Sequence, residues 1–367
     1  MLSTPIRRLC HWGPISVLGI IKLITWAMVH FLGIWWPPHA SVGGAINAVI
    51  FLAFAAATLY YFLQSLLEGP GFVPVGWKPE NEGDIEYLQF CTICNSYKAP
   101  RSHHCKKCGH CILKMDHHCP WINCCVGQAN HCYFTTFLIC AVIGCSIASV
   151  ELSICMYYAI TRTRFSPGGA RLLMPLGTLL LTLLAIGMAV GVVLAVGALL
   201  YFQVSGILRN RTTIEEWIVE KAAARRVEQG LPPFVFPYDM GWRQNLQAVL
   251  RPSHTMYWPV RPDCGQYDLT REQQAQKLDK RLRSRLYRIT EPYSGWWVPL
   301  FRYPKAAVNV PCTDEHRLVL TPGDVVRVTR QRRHWLFGER VIEGGGERGP
   351  RGWFPRAAAE LAHAHAA

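Results

Sequence analysis

The sequence predicts an α-helical integral membrane protein. It has four transmembrane helices, a cytosolic cysteine-rich β-hairpin domain between the second and third, and a small all-β module at the C-terminus. Three observations predict this. Apolar residues make up 50% of the 367 residues and gather into four blocks. Nine of the fifteen cysteines fall between 91 and 132. Beyond residue 291, short β-patterned runs with turn punctuation replace helical patterns.

Each apolar block is long enough to cross a bilayer core, which takes about 20 residues. Residues 14–36 carry one charge, Lys22; residues 44–67 and 172–208 carry none; residues 132–160 carry only Glu151. Buried helices of a soluble core would show a polar face, and these do not. The first block lacks a small-residue cleavage site and carries Trp26, Trp35 and Trp36, as an interfacially anchored span does. Lys22 is expected to snorkel. Glu151 is expected near the non-cytosolic end of its span, in contact with water.

The formal charge is +14. Arg7 and Arg8 precede the first span, and the connection to the second has no Lys or Arg. Residues 68–131 hold Lys78, Lys98, Arg101, Lys106, Lys107 and Lys114. The positive-inside tendency therefore puts both termini and this segment in the cytosol; Arg162, Arg164 and Arg171 of the third connection weaken the bias without reversing it. The basic balance suits anionic headgroups or a phosphate-bearing cofactor, and the spans argue against a nucleic-acid binder. The expected divisions are 1–67 (N-terminus and two spans), 68–131 (cysteine-rich domain), 132–208 (two spans), 209–290 (polar, basic region) and 291–367 (C-terminal module).

A cysteine cluster on the reducing side reads as metal binding or thiol chemistry rather than disulfides. Cys91, Cys94, His104 and Cys111 follow C-x2-C-x9-H-x6-C, and Cys105, Cys108, His118 and Cys125 repeat that spacing fourteen residues on. Each is a Cys3His set suited to tetrahedral zinc, and a complete set marks a structural site. Neighbours such as His104 and Cys105 can serve different metals because side chains alternate along an extended strand. Superposing the repeats aligns Ser102–Cys105 with Asp116–Cys119 and leaves Cys119 and His117 unclaimed. A thiol beside an imidazole and the carboxylate of Asp116 makes an activated nucleophile: the imidazole takes the proton and the carboxylate sets its tautomer. The backbone is expected to turn there, with Pro120 disfavouring helix. The alternative is that both side chains are unused extras of a zinc scaffold.

The stretch "APRSHHCKKCGHCILKMDHHCPWINCCVGQANHCYF" resembles the cysteine-rich domain of the DHHC protein S-acyltransferases (palmitoyltransferases), flanked by two spans on each side as in that family. The resemblance covers roughly residues 1–250. It implies that Cys119 accepts a long-chain fatty acyl group from acyl-CoA as a thioester and passes it to a cysteine of a membrane-associated protein. It makes His117 the base and Asp116 the residue that orients it, and it matches the eight spaced residues to two structural Zn2+. Thr212-Thr213-Ile214-Glu215 matches the family's TTxE motif, whose threonine contacts the catalytic carboxylate; it also spells a helix capping box ahead of an amphipathic helix. Glu68-Gly69-Pro70-Gly71 stands in place of the family's Asp-Pro-Gly, and Cys124, read as a spectator thiol, in place of an asparagine. Asn130 and Phe134 fit the N-x3-F ending, and Asn245 resembles the asparagine of the C-terminal element.

Lys98 and Arg101 are expected at the CoA phosphates and Trp121 at the mouth of an acyl cavity. Gly144, Ser146 and Ser149 are expected to set its depth. The run 271–289 is expected to form a cationic amphipathic helix on the membrane. The C-terminal segment resembles an SH3 domain, which implies a small β-barrel with Trp335 as its groove tryptophan and Gly352-Trp353-Phe354-Pro355 as a late strand, although the usual opening strand is not recognisable. That points to an SH3-bearing endoplasmic-reticulum subtype, with the Golgi as the alternative. The implied partners are acyl-CoA, the bilayer, proteins with membrane-proximal cytosolic cysteines, and proteins recruited by the SH3-like module. A rival reading is a non-enzymatic, zinc-stabilised membrane adaptor.

Overall fold

A computed structural model describes residues 5–161, 175–251, 255–296, 302–313, 315–342 and 349–362. Arg162, Arg164, Arg171 and the final "HAHAA" fall outside the described residues. The chain divides into two compact units, Met1–Glu272 and Gln273–Ala367.

Four helices of the first unit are long and apolar enough to cross a membrane: Trp12–Trp35, Val42–Leu67, His131–Ala159 within a helix running to Thr161, and Leu176–Leu208. Ser41 caps the second, its hydroxyl accepting from Gly44 N at 3.0 Å. Many of their large apolar side chains, such as Leu180, Leu194 and Phe202, point outward, as lipid-facing residues do. Inside, Met28, Phe31, Phe51 and Leu152 pack against Ala148, Ala185 and Ala189, whose small side chains let the helix backbones approach. Glu151 is tied to the second span, where Asn47 Nδ2 donates to its Oε2 at 2.8 Å.

The fourth helix has 33 residues. At about 1.5 Å per residue it spans roughly 50 Å, well beyond the ~30 Å apolar layer. Its last turns therefore extend toward the cysteine-rich segment. Arg211 and Thr212 then break the helix, and a new one, Thr213–Glu228, begins with a complete capping box: Thr212 Oγ1 accepts from Glu215 N, and Glu215 Oε2 accepts from Thr212 N.

The cysteine-rich segment is three short hairpins, Phe90–Cys91 with Ser96–Tyr97, His103–Cys105 with His110–Ile112, and His117–Cys119 with Cys124–Val126. Asn95, Gly109 and Asn123 hold positive φ at their turns, which Gly and Asn tolerate best. The third hairpin plugs the end of the helix bundle, where Cys119, Ile122 and Val126 pack with Phe62, Leu66, Phe134 and Phe137. Gly13, opening the first span, faces the Pro120 carbonyl so closely that any Cβ there would collide with it.

The second unit contains a five-stranded antiparallel sheet in the order Arg351–Pro355, Trp335–Arg340, Val325–Arg332, Arg285–Ile289, Ala359–Leu361. Tyr293–Ser294 and Val319–Leu320 form a separate two-stranded sheet. Among the described residues the five strands are not closed into a barrel. Three expectations change here. The run 271–289 is helical only within Asp268–Leu282, and its end, with β-branched and aromatic residues alternating inward, is a strand. That strand places the sheet's beginning before residue 291. Trp335 is fully buried, its Nε1 donating to the Ala306 carbonyl, so it is a core residue and not a groove tryptophan.

Candidate active site

The ligand sets predicted by spacing assemble as two clusters, Cys91, Cys94, His104, Cys111 and Cys105, Cys108, His118, Cys125. His104 Nδ1 lies 3.5, 3.3 and 3.9 Å from the Cys91, Cys94 and Cys111 sulfurs. His118 Nδ1 lies 3.6, 3.4 and 3.7 Å from those of Cys105, Cys108 and Cys125. A tetrahedron with arms of about 2.2 Å has edges of about 3.6 Å, so both clusters have the dimensions of a tetrahedral metal site. The strand register explains the interleaving. His104 pairs with Cys111 and His118 with Cys125, each pair serving one set across its own hairpin. Cys105, one residue along, turns to the other face and joins the second set.

The same alternation separates His118 from its neighbours. His117 and Cys119 sit two apart on one extended strand, Cys119 opposite Cys124. They share a face without the backbone turn that the sequence led one to expect; extended geometry alone brings i and i+2 together. On this strand alternation therefore sends His118 into the Cys3His cluster and His117 and Cys119 to the opposite face.

Asp116 is buried and accepts three hydrogen bonds. His117 Nδ1 is 2.7 Å from Oδ2, Gln203 Nε2 donates to Oδ2 at 2.9 Å, and Thr213 N donates to Oδ1 at 2.5 Å. Burial by itself would raise this carboxyl, but the His117 hydrogen bond and charge, with the Thr213 amide, hold it well below the usual carboxylate range. An ionised carboxylate only accepts, so His117 Nδ1 carries the proton and Nε2 is left for the thiol. Burial works to lower His117, but hydrogen bonds to Asp116 and then Cys119 dominate and raise it to about 9. An imidazole held this way is a strong acceptor for a thiol proton. Cys124 differs: burial pushes its thiol up to about 12, which keeps it protonated and unreactive.

Cys119 opens on an apolar cavity of about 380 Å³ between the spans. Trp121, Phe134, Phe137, Leu138, Ala141 and Gly144 line it from the third span's side, Gly187 and Gly191 from the fourth's. Trp121 is half exposed and meets Trp12 edge-on at 5.2 Å. Ser146 and Ser149 are not among the lining residues; their hydroxyls donate to the carbonyls of Val142 and Ser146.

Arg101 is not where a CoA phosphate would meet it. Its guanidinium is enclosed, bonded to both Glu215 oxygens at 2.6 and 2.7 Å and to Asn210, and sandwiched by Tyr238 and Trp258. Burial favours protonated Glu215, and the charge and hydrogen bonds of Arg101 overcome it, keeping the carboxyl ionised. Lys98 is half-buried at the cysteine-rich surface. The motif threonine reaches Asp116 through the Thr213 backbone amide, which the Thr212–Glu215 box aims. Asn245 Nδ2 donates to the Leu208 carbonyl at 2.8 Å and to Asp239, tying the helix Trp242–Leu250 to the end of the fourth span. Asn130 Nδ2 donates to the Ser65 and Cys125 carbonyls and its Oδ1 accepts from Gly127 N, joining the second span, the third hairpin and the third span.

Sequence reasoning missed Gln203, His131 and Lys114. Gln203 was visible as a lone amide in an otherwise apolar block. Lys114, 3% exposed and above Trp258, has its ammonium lowered to about 7 by burial and then by the charge of Arg101. Nothing in its spacing marked it.

Two metal-sized Cys3His clusters below four apolar helices, with a spare thiol, imidazole and carboxylate at an apolar cavity, define a membrane-embedded S-acyl transferase. The chain belongs to the DHHC palmitoyltransferase family, whose profile matches residues 84–220. It is 42% identical over 377 residues to Palmitoyltransferase ZDHHC6 of Mus musculus, covering 96% of this chain and 91% of the relative. It is 41% identical over 379 residues to Palmitoyltransferase ZDHHC6 of Danio rerio, covering 97% and 92%. It is also 31% identical over 272 residues to Probable protein S-acyltransferase 13 of Arabidopsis thaliana, covering 68% and 84%. The protein is therefore an enzyme, a protein S-acyltransferase, and the adaptor reading falls away.

Proposed function

We propose that Cys119 is the acyl-carrying nucleophile of a two-step transfer from long-chain acyl-CoA to protein cysteines. The observation that carries this is the placement of its thiol between His117 and the apolar cavity. His117 Nε2 takes the Cys119 proton, and the sulfur attacks the acyl-CoA carbonyl. A C–S bond to Cys119 forms, the C–S bond to CoA breaks, and the CoA sulfur leaves with the proton held by His117. The second step is the same exchange with a substrate thiol, which restores free Cys119. Asp116 stays ionised throughout and orients the ring.

The acyl tail lies in the cavity, where each methylene contributes about 0.8 kcal/mol. Gly187 and Gly191 have open space where a Cβ would stand, so the wall accepts added bulk. Gly191→Leu is expected to move the preferred acyl length from sixteen carbons toward shorter chains by about two to four carbons. Competition between acyl-CoAs of graded length, read by mass spectrometry of the acyl-enzyme, checks this. An unchanged length profile would remove the tail from this cavity.

Both Cys3His clusters are read as structural zinc sites that hold the hairpin carrying Cys119. Elemental analysis is expected to give two zincs per chain, and Cys108→Ala close to one, with about a tenfold or greater loss of acyl-enzyme formation. Two zincs retained in Cys108→Ala would break the ligand assignment. Lys98 is the remaining candidate at a CoA phosphate, Arg101 serving instead as an internal clamp. The C-terminal unit is read as an SH3-like recruitment module. Its two-sheet, all-antiparallel make-up supports that, and its buried Trp335 argues against an aromatic peptide groove at that residue. Both termini cytosolic and residence in the endoplasmic reticulum complete the reading; the charge bias of the connections supports the first and the SH3-like resemblance of the C-terminal segment the second.

A further inference from the structure

Gln203 lies five residues before the end of the fourth span, and its side chain is aimed away from the cavity, at the Asp116 carboxylate. Its amide is held from both sides: Nε2 donates to Asp116 Oδ2 at 2.9 Å, and Oε1 is 3.0 Å from His131 Nε2. The chemistry permits one arrangement. The carboxylate only accepts, so the amide nitrogen must face it; the amide oxygen then faces His131, whose Nε2 must carry a hydrogen. All three side chains are buried, at 4%, 6% and 6% exposure for Asp116, Gln203 and His131. An amide buried between two bulky polar groups in a membrane span is costly unless both its ends are satisfied, and here both are.

The consequence for the reaction lies in Oδ2, which His117 Nδ1 and Gln203 Nε2 share. Without Gln203, Asp116 would keep the Thr213 amide on Oδ1 but could rotate Oδ2 out of the His117 ring plane, and the imidazole would lose its fixed tautomer and aim. We propose that Gln203, steadied by His131, is a positioning residue for acyl transfer: it locks Asp116 so that His117 presents Nε2 to Cys119. The chain His131–Gln203–Asp116–His117 thus couples the third and fourth spans to the thiol. It rests on the reading of Asp116, His117 and Cys119 given above.

Full-length enzyme in nanodiscs, with labelled palmitoyl-CoA and quenched-flow sampling, tests it. A hydrogen bond to a charged group removed from the reacting arrangement corresponds to about a 10- to 100-fold slower acylation step. That loss is expected in Gln203→Leu and also in Gln203→Glu, which keeps the shape but offers Asp116 no donor when ionised. KM for palmitoyl-CoA is expected to stay within about twofold, because Gln203 does not line the cavity. His131→Leu is expected to slow the step by itself and to add less than about twofold on the Gln203→Leu background, since both act through one carboxylate. A Gln203→Glu enzyme acylating at the wild-type rate would overturn the proposal, as would a rate loss matched by equal rises in KM or by additive losses in the double variant. These outcomes differ from failure of the nucleophile assignment, which would show as acyl label persisting without Cys119. Gln203→Asn provides the folding control: it is expected to recover part of the lost rate, whereas a packing role would leave it no better than Gln203→Leu.

Discussion

Replacing Cys119 by alanine is expected to abolish hydroxylamine-sensitive acyl label on the protein and to lower transfer to substrate cysteines by more than about 10³-fold. Fifteen cysteines make the assignment a real question, since the acyl group could reside on any exposed thiol. Six of them belong to the two Cys3His clusters, and a seventh, Cys124, is buried with its thiol raised. Cys124 is the instructive control, because it sits directly across the hairpin from Cys119. Cys124→Ala is expected to leave acyl-enzyme formation within about threefold of wild type, its sulfur making only long hydrogen-bond contacts, to the Ser65 carbonyl and Asn130 at 3.8 Å, among the described residues. Peptide mass spectrometry locating the label on Cys124 in the Cys119→Ala protein would remove the nucleophile assignment.

The second large effect is expected at Arg101 and Glu215. Both side chains have 0% exposure and their charges meet at 2.6 Å. Removing one partner leaves the other charge buried alone, which costs about 3–5 kcal/mol. Glu215→Ala and Arg101→Lys are both expected to lower the melting temperature in detergent; lysine cannot reproduce the two-pronged contact with Glu215 and the third with Asn210. Activity is expected to fall with them, because Glu215 closes the capping box that points Thr213 N at Asp116. The double variant Arg101→Met/Glu215→Met is expected to recover much of the stability lost in either single, since an apolar pair leaves no buried charge. If Arg101 instead served a CoA phosphate, Arg101→Lys would raise KM for acyl-CoA and leave the melting temperature unchanged.

Arg101 also shows where sequence reasoning ends. A lysine or arginine in a basic loop looks alike whether it faces water or a buried carboxylate 114 residues away. Which one applies depends on how the helix after the fourth span folds back onto the hairpins. Trp335 repeats the lesson: its place in the sequence suggests a groove, and its packing with Tyr293 and Arg317 makes it core. Ser146 and Ser149 satisfy their hydroxyls on their own helix, a local preference that competes with any role in the cavity.

The parts that were legible are those governed by short-range rules. Span length and composition follow from the thickness of the apolar layer. The eight members of the two Cys3His clusters follow from a fourteen-residue repeat, and the spare residues follow by subtraction. The structure gave that subtraction its physical reason: on an extended strand His118 turns into its Cys3His cluster, so His117 and Cys119 must turn the other way. What required the tertiary structure is everything that meets across long separations. Gln203 reaches Asp116 across 87 residues, Thr213 across 97, and the cavity is bounded by all four spans at once. Sequence periodicity records which face of an element is apolar, but not which polar atom of a distant element will complete a carboxylate's hydrogen bonds. That is decided only when burial forces each of them to find a partner.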